Sequence, residues 1–138
     1  MTHRCDMPAP RGTLFKQPRE IKRVWRRQPR APRDAEHLEA IRQCPCVACG
    51  QDPAGEAAHV RMGSHAGMGR KPEAKLTVPL CHAHHMEQHS VGELTFWTAL
   101  ELAPTVIAER LWRAQGNVEM MRAMVMVVLG ERMAGGEK

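Results

Sequence analysis

The chain has 138 residues and a mass of 15.5 kDa, enough for one compact domain with an arm and too little for a large cofactor-dependent enzyme. Lys and Arg number 20 against 15 Asp and Glu, a formal charge of +5 with a pI near 9.3, which makes a polyanionic partner the first expectation. Three Trp, two Phe and no Tyr leave the core to aliphatic residues and ten Met, and a core that small gains from a cross-link.

Residues 1 to 33 form a basic, proline-rich arm. They hold ten Lys and Arg against two acids, a charge of +8, so residues 34 to 138 carry −3. Five of the ten prolines, at 8, 10, 18, 29 and 32, predict little regular structure there. Trp25 sits among Lys22, Arg23, Arg26 and Arg27. Two readings are open for it: a docked aromatic on a solvated tail, or a base-stacking residue within a nucleic-acid contact. The arm has no hydrophobic leader segment, and the longest apolar stretch, Met124 to Leu129, is far short of the roughly 20 residues a bilayer needs. The expectation is a cytoplasmic chain, with no membrane partner and with reduced thiols free to hold metal.

Asp34 reads as the N-cap of a helix over 35–43, with Leu38 and Ile41 on one face and Pro45 ending it. Cys46 to Gly50 reads as a tight knuckle. A short strand is predicted around 57–61, a glycine-rich loop over 63–69 and a second strand over 75–80, whose alternating Leu76, Val78 and Leu80 should pair it with the first. A helix follows over 81–89, then three more over 93–102, 104–115 and 117–129. Met120, Met121, Met124 and Met126 in the last helix read as core filling or as a groove for a partner helix. The fold class is therefore α+β and mostly helical, with residues 34–138 as one domain, its core at 44–97 and C-terminal helices at 98–130.

Six of the eight His and three of the five Cys fall between Cys46 and His89. Cys46 and Cys49 form a C-x-x-C, and Cys81 and His84 supply a C-x-x-H about thirty residues later. Two thiolates on a tight turn with a Cys/His pair at a helix start can close a tetrahedron around Zn²⁺. A lone C-x-x-C would equally suit a redox pair; the second pair turns the reading to structural zinc. Cys44 reads as a small buried residue at the helix end. His85 points about 100° away from His84 on a helix, and His89 lies four residues on from His85. Such an i, i+4 pair can chelate a second, divalent ion, with the strand-borne His59 opposite as the candidate to take a proton from the attacking water. Arg61, Arg70 and Lys71 bring charge to the glycine loop, where close backbone approach suits a phosphate; a solvated hairpin end is the alternative. His65 reads either way, and His3, His37 and His82 read as surface residues.

These residues resemble the HNH (ββα-metal) endonucleases, and within them the prophage branch of RecA-dependent recombination-enhancement nucleases. The resemblance runs over about residues 35 to 97. It is carried by Pro45-Cys46-Val47-Ala48-Cys49-Gly50, Ala58-His59-Val60-Arg61, Gly67-Met68-Gly69-Arg70-Lys71-Pro72 and Val78-Pro79-Leu80-Cys81, closing with His84-His85 and His89. It implies a zinc-stapled ββα-metal, treble-clef-like core and a DNA endonuclease of prophage origin linked to recombination or repair. His59 would then be the general base, His85 and His89 the ligands of a catalytic Mg²⁺ or Mn²⁺, and Cys46, Cys49, Cys81 and His84 the zinc set. DNA would be the partner, with a recombinase filament as a further candidate. Two positions depart from the pattern: Ala58 stands where many relatives have a metal-binding Asp or His, and Glu73-Ala74 where this branch tends to have Asp. Those departures favour the alternative of a zinc-stapled DNA- or RNA-binding module without cleavage.

Overall fold

A computed structural model describes residues 31–64 and 73–136. The predicted contacts Lys22, Arg23, Arg26 and Arg27 of the arm, and His65, Arg70 and Lys71 of the glycine loop, lie outside the described residues. The described chain is α+β, with five helices and one two-stranded antiparallel sheet. Its order is α1 (Pro32–Gln43), β1 (Glu56–His59), β2 (Thr77–Leu80), α2 (His82–Val91), α3 (Glu93–Leu100), α4 (Pro104–Arg113) and α5 (Val118–Gly135). Among the described residues no helix is long and apolar enough to cross a membrane.

α1 begins two residues inside the expected arm. Proline is tolerated in a first turn because its missing N–H would have no helical partner, and here the amides of Asp34 and Ala35 donate to the Ala31 carbonyl at 2.9 and 3.2 Å. Asp34 is thus not the cap; it lies in the first turn, where its charge complements the helix dipole. The helix ends at Gln43, with extended Cys44 leading into Pro45. Its buried face carries His37, Leu38, Ala40 and Ile41. The expectation that His37 is a surface residue was wrong: it is 2% exposed, because the i, i+4 spacing to Ile41 places it on the core stripe.

Both strands are shorter than predicted. The ladder pairs Glu56 with Leu80, Ala57 with Pro79, Ala58 with Val78 and His59 with Thr77, after which one more bond, Val60 N–H to the Leu76 carbonyl at 2.8 Å, continues it. The predicted alternation in β2 fails, since all four of its residues are buried. α1, α2 and α4 all pack on β2, so neither side-chain set reaches water. A two-stranded ribbon is marginal alone, and these helices supply the burial that holds it.

Gly92, at φ 90°, ends α2 and turns the chain directly into α3. α3 stops at Leu100 rather than 102, because Glu101 takes the left-handed conformation. α4 buries Pro104, Ile107, Ala108 and Leu111, a stripe at helical spacing, and stops at Arg113. α5 starts where Asn117 Oδ1 accepts from the Met120 amide at 3.0 Å, and it runs on to Gly135, past the predicted end. Of its four predicted core methionines, Met121 is buried and Met124 half-buried, while Met120 and Met126 face solvent.

Candidate functional site

The knuckle is built by its backbone. Gly50 N–H donates to the Cys46 carbonyl at 2.8 Å and Cys46 N–H to the Gln51 carbonyl at 2.9 Å, curling residues 46–51 into a tight turn that Gly50 closes at φ 78°. Val47 N–H bonds the Pro79 carbonyl at 3.1 Å, which ties the turn to the β2 edge two residues before Cys81. Arginines of α5 hold its outside: Arg132 donates to the Ala48 carbonyl at 2.5 Å, and Arg122 bonds the Gln43 carbonyl and both oxygens of Asp52. Arg122 holds the Asp52 carboxyl below its ordinary range.

Across from the knuckle, Cys81 caps α2 and His84 lies in its first turn. The ligand atoms of Cys46, Cys49, Cys81 and His84 all lie within 4.8 Å of one another. Cys49 and Cys81 sulfurs are 3.9 Å apart, and His84 Nδ1 lies 3.8 Å from Cys46 and 3.0 Å from Cys81. Tetrahedral zinc with bonds near 2.3 Å to sulfur and 2.0–2.1 Å to nitrogen has edges of about 3.8 Å and about 3.6 Å. The donor set and its spacing therefore fit a zinc ion, with the Cys81–His84 edge the tightest. Cys44 stays out of the set: its thiol donates to the Ala40 carbonyl at 3.3 Å, and burial pushes its pKa up to about 11. A group that remains a thiol at neutral pH is a poor metal ligand.

His85 faces away from the zinc set, as its position in the helix predicted, and its Nε2 lies 3.2 Å from Nε2 of His89. Two nitrogens on one ion with bonds of 2.0–2.1 Å stand about 2.9 to 3.4 Å apart, depending on whether the angle is octahedral or tetrahedral. The pair is thus at chelating distance. What the sequence reading missed is Glu56. Its Oε2 accepts from His85 Nδ1 at 2.5 Å and its Oε1 from His82 Nδ1 at 2.7 Å. Hydrogen bonds from His82 and then His85 hold the Glu56 carboxyl below its ordinary range. His82 is exposed, as expected of a surface residue, and is paired with Glu56. A usable signal existed: Glu56 shares the period-two set of Ala58, the slot in which a ligand had been sought.

His59 is the last residue of β1, half-buried and in register with Thr77. It belongs to the alternate side-chain set from Glu56. Just beyond it Arg61 is exposed, its backbone N–H donating to Glu93 Oε1 at 2.8 Å and its carbonyl accepting from Ser64 Oγ at 2.8 Å. The slot before His59 holds Ala58, fully buried. No family model, curated protein or solved structure matches this chain.

Proposed function

We propose that this chain is a metal-dependent HNH-type endonuclease that hydrolyses DNA phosphodiester bonds, built on a zinc-stapled ββα core formed by β1, β2 and α2. The observation that carries the reading is the carboxylate–histidine–histidine arrangement beside the strand that bears His59. Glu56 accepts from Nδ1 of His85, which fixes the tautomer and leaves Nε2 bare toward His89 at 3.2 Å. Carboxylate-backed imidazoles of this kind serve as metal ligands, and a Mg²⁺ or Mn²⁺ held there would stabilise charge on the leaving oxygen. His59 takes the proton of the attacking water, and Arg61 with the basic arm holds the phosphate backbone. Prophage origin and a recombinase filament as partner rest on the resemblance alone and belong to the same proposal.

Ala58 favours a second reading, a zinc-stapled nucleic-acid-binding module without cleavage, since a buried methyl occupies the position of a third ligand. Plasmid nicking with Mg²⁺ or Mn²⁺ separates the two. The first reading expects cleavage that His59→Ala reduces by about 10²-fold or more while DNA binding persists. Binding without cleavage by the parent protein selects the second.

A further inference from the structure

We infer that Glu93 is a positioning residue that sets where His59 stands relative to the His85/His89 helix. The inference rests on the proposed site and goes beyond it, since Glu93 belongs to neither the ligands nor the base. Two carboxylates tie the β1 segment to the α2–α3 segment, one at each end. At the start of the strand, Glu56 reaches His82 and His85 in the first turns of α2. At the exit, the tie runs the other way: Glu93, the first residue of α3 and next after the Gly92 that ends α2, reaches back to the backbone N–H of Arg61 at 2.8 Å.

The lengths of the tied segments agree. Glu56 to Arg61 is five residues, which at the rise of an extended chain spans about 17 Å. α2, His82–Val91, is ten residues, or about 15 Å at helical rise, before Gly92 breaks it and Glu93 follows. Strand and helix therefore run side by side in the same direction, start against start and exit against exit. On that scale His59 stands three strand residues from Glu56, about 10 Å. His89 stands seven helix residues from His82, also about 10 Å. The His59 end of β1 and the His89 end of α2 thus share the end at which Glu93 bonds Arg61, and the gap between them is what a tie at that end sets.

Glu93 is the group at that end. The last rung of the ladder is His59 with Thr77, one further bond holds Val60 to Leu76, and the next amide, Arg61, bonds Glu93. The turn beyond is closed on itself, with Ser64 N–H and Oγ both on the Arg61 carbonyl at 3.0 and 2.8 Å. Without the carboxylate the strand exit loses its tie to the α2–α3 corner, and the His59 end of β1 can swing away from α2 while Glu56 still holds the other end.

The test compares the full chain with Glu93→Ala and with Glu93→Gln, which keeps an acceptor oxygen, using Mn²⁺ as the probe. Hydrogen exchange reads the tie, and paramagnetic broadening of the His59 ring protons, which falls with the sixth power of distance, reads the gap. For Glu93→Ala the expectation is amide exchange at Arg61 faster by about tenfold or more. Broadening at His59 is weaker, Mn²⁺ affinity is unchanged, and in nicking kcat falls while KM holds. Glu93→Gln stays close to the parent in each. Exchange and broadening unchanged in Glu93→Ala overturn the inference, as does a Glu93→Gln protein as impaired as Glu93→Ala. If Mn²⁺ broadens nothing in the parent, the proposed metal site fails; exchange at Arg61 and the His59 ring shifts then decide on Glu93, and their constancy in Glu93→Ala overturns it.

Discussion

Oε2 of Glu56 lies 2.5 Å from Nδ1 of His85, while its other oxygen lies 2.7 Å from Nδ1 of His82. One carboxylate thus sets the tautomer of two imidazoles in the first turns of α2, and among the described residues a second imidazole, that of His89, faces Nε2 of His85. Outer-shell partners of metal-binding histidines are worth about 10–100-fold in affinity. Glu56→Gln should weaken Mn²⁺ binding to that extent in a spectroscopic titration, whereas His82→Ala should change it far less. Equal Mn²⁺ binding by the parent and Glu56→Gln would remove Glu56 from the site.

The zinc set makes a sharper demand. Binding of structural zinc to small domains contributes about 10–16 kcal/mol. A domain of this kind has a total stability of about 5–15 kcal/mol. Cys46→Ala and Cys81→Ala should therefore lose both the metal and the cooperative thermal transition. Cys44→Ala should keep the metal, because its buried thiol stays protonated and bonded to Ala40. Metal analysis of protein purified without chelator, alongside circular dichroism melts, checks all three. A folded, metal-free Cys81→Ala protein would contradict the assignment.

The cluster of Cys46, Cys49, Cys81 and His84 was legible because metal chemistry imposes short local spacings, C-x-x-C and C-x-x-H, that survive without knowledge of the fold. That His85 and His89 stand side by side was legible too, since four residues is about one helical turn. Glu56 was not, because its meaning lies in residues 26 and 29 positions away, and no spacing within β1 announces that α2 will lie beside it. His37 went astray differently: residue type outweighed helical phase, although Ile41 four residues on already marked its side of α1 as core. Element ends shifted where local conformation decided them, as Glu101 did for α3. The alternation expected in β2 was erased by helices that only the tertiary fold brings to it.

Burial of His37 gives the fold a pH dependence. Its ring meets Trp112 edge-on at 4.8 Å, and neither ring nitrogen has a hydrogen-bond partner among the described residues. Desolvation lowers its pKa below 6.5, with Asp34 opposing only in part. The folded state thus holds His37 neutral, while the unfolded chain takes up a proton as pH falls through 6.5. The contribution to stability is complete above that value and is lost as pH drops toward the lower, folded-state pKa. His37→Phe removes the titration and two unpartnered nitrogens. It should stabilise the protein by about 1 kcal/mol at pH 8 and by more at pH 5.5. Denaturant melts of both proteins at the two pH values provide the check, and the difference between them cancels any effect of acid on the zinc set. A gap that does not widen at the lower pH would mean that His37 is already charged in the fold.

The charge of the chain says where the proposed DNA affinity would lie. Residues 34–138 carry −3, so sequence-independent attraction to phosphate has to come chiefly from the arm, where Lys22, Arg23, Arg26 and Arg27 are clustered. Each phosphate neutralised adds about 0.9 to the slope of log affinity against log salt on duplex DNA. Replacing these four residues by Gln should flatten the slope by up to about 3.6 and weaken binding to unrelated sequences alike. Fluorescence anisotropy across a salt series measures the slope directly. If the slope holds after the replacement, the phosphate contacts lie on the acidic body, and Arg61 beside His59 becomes the first residue to replace.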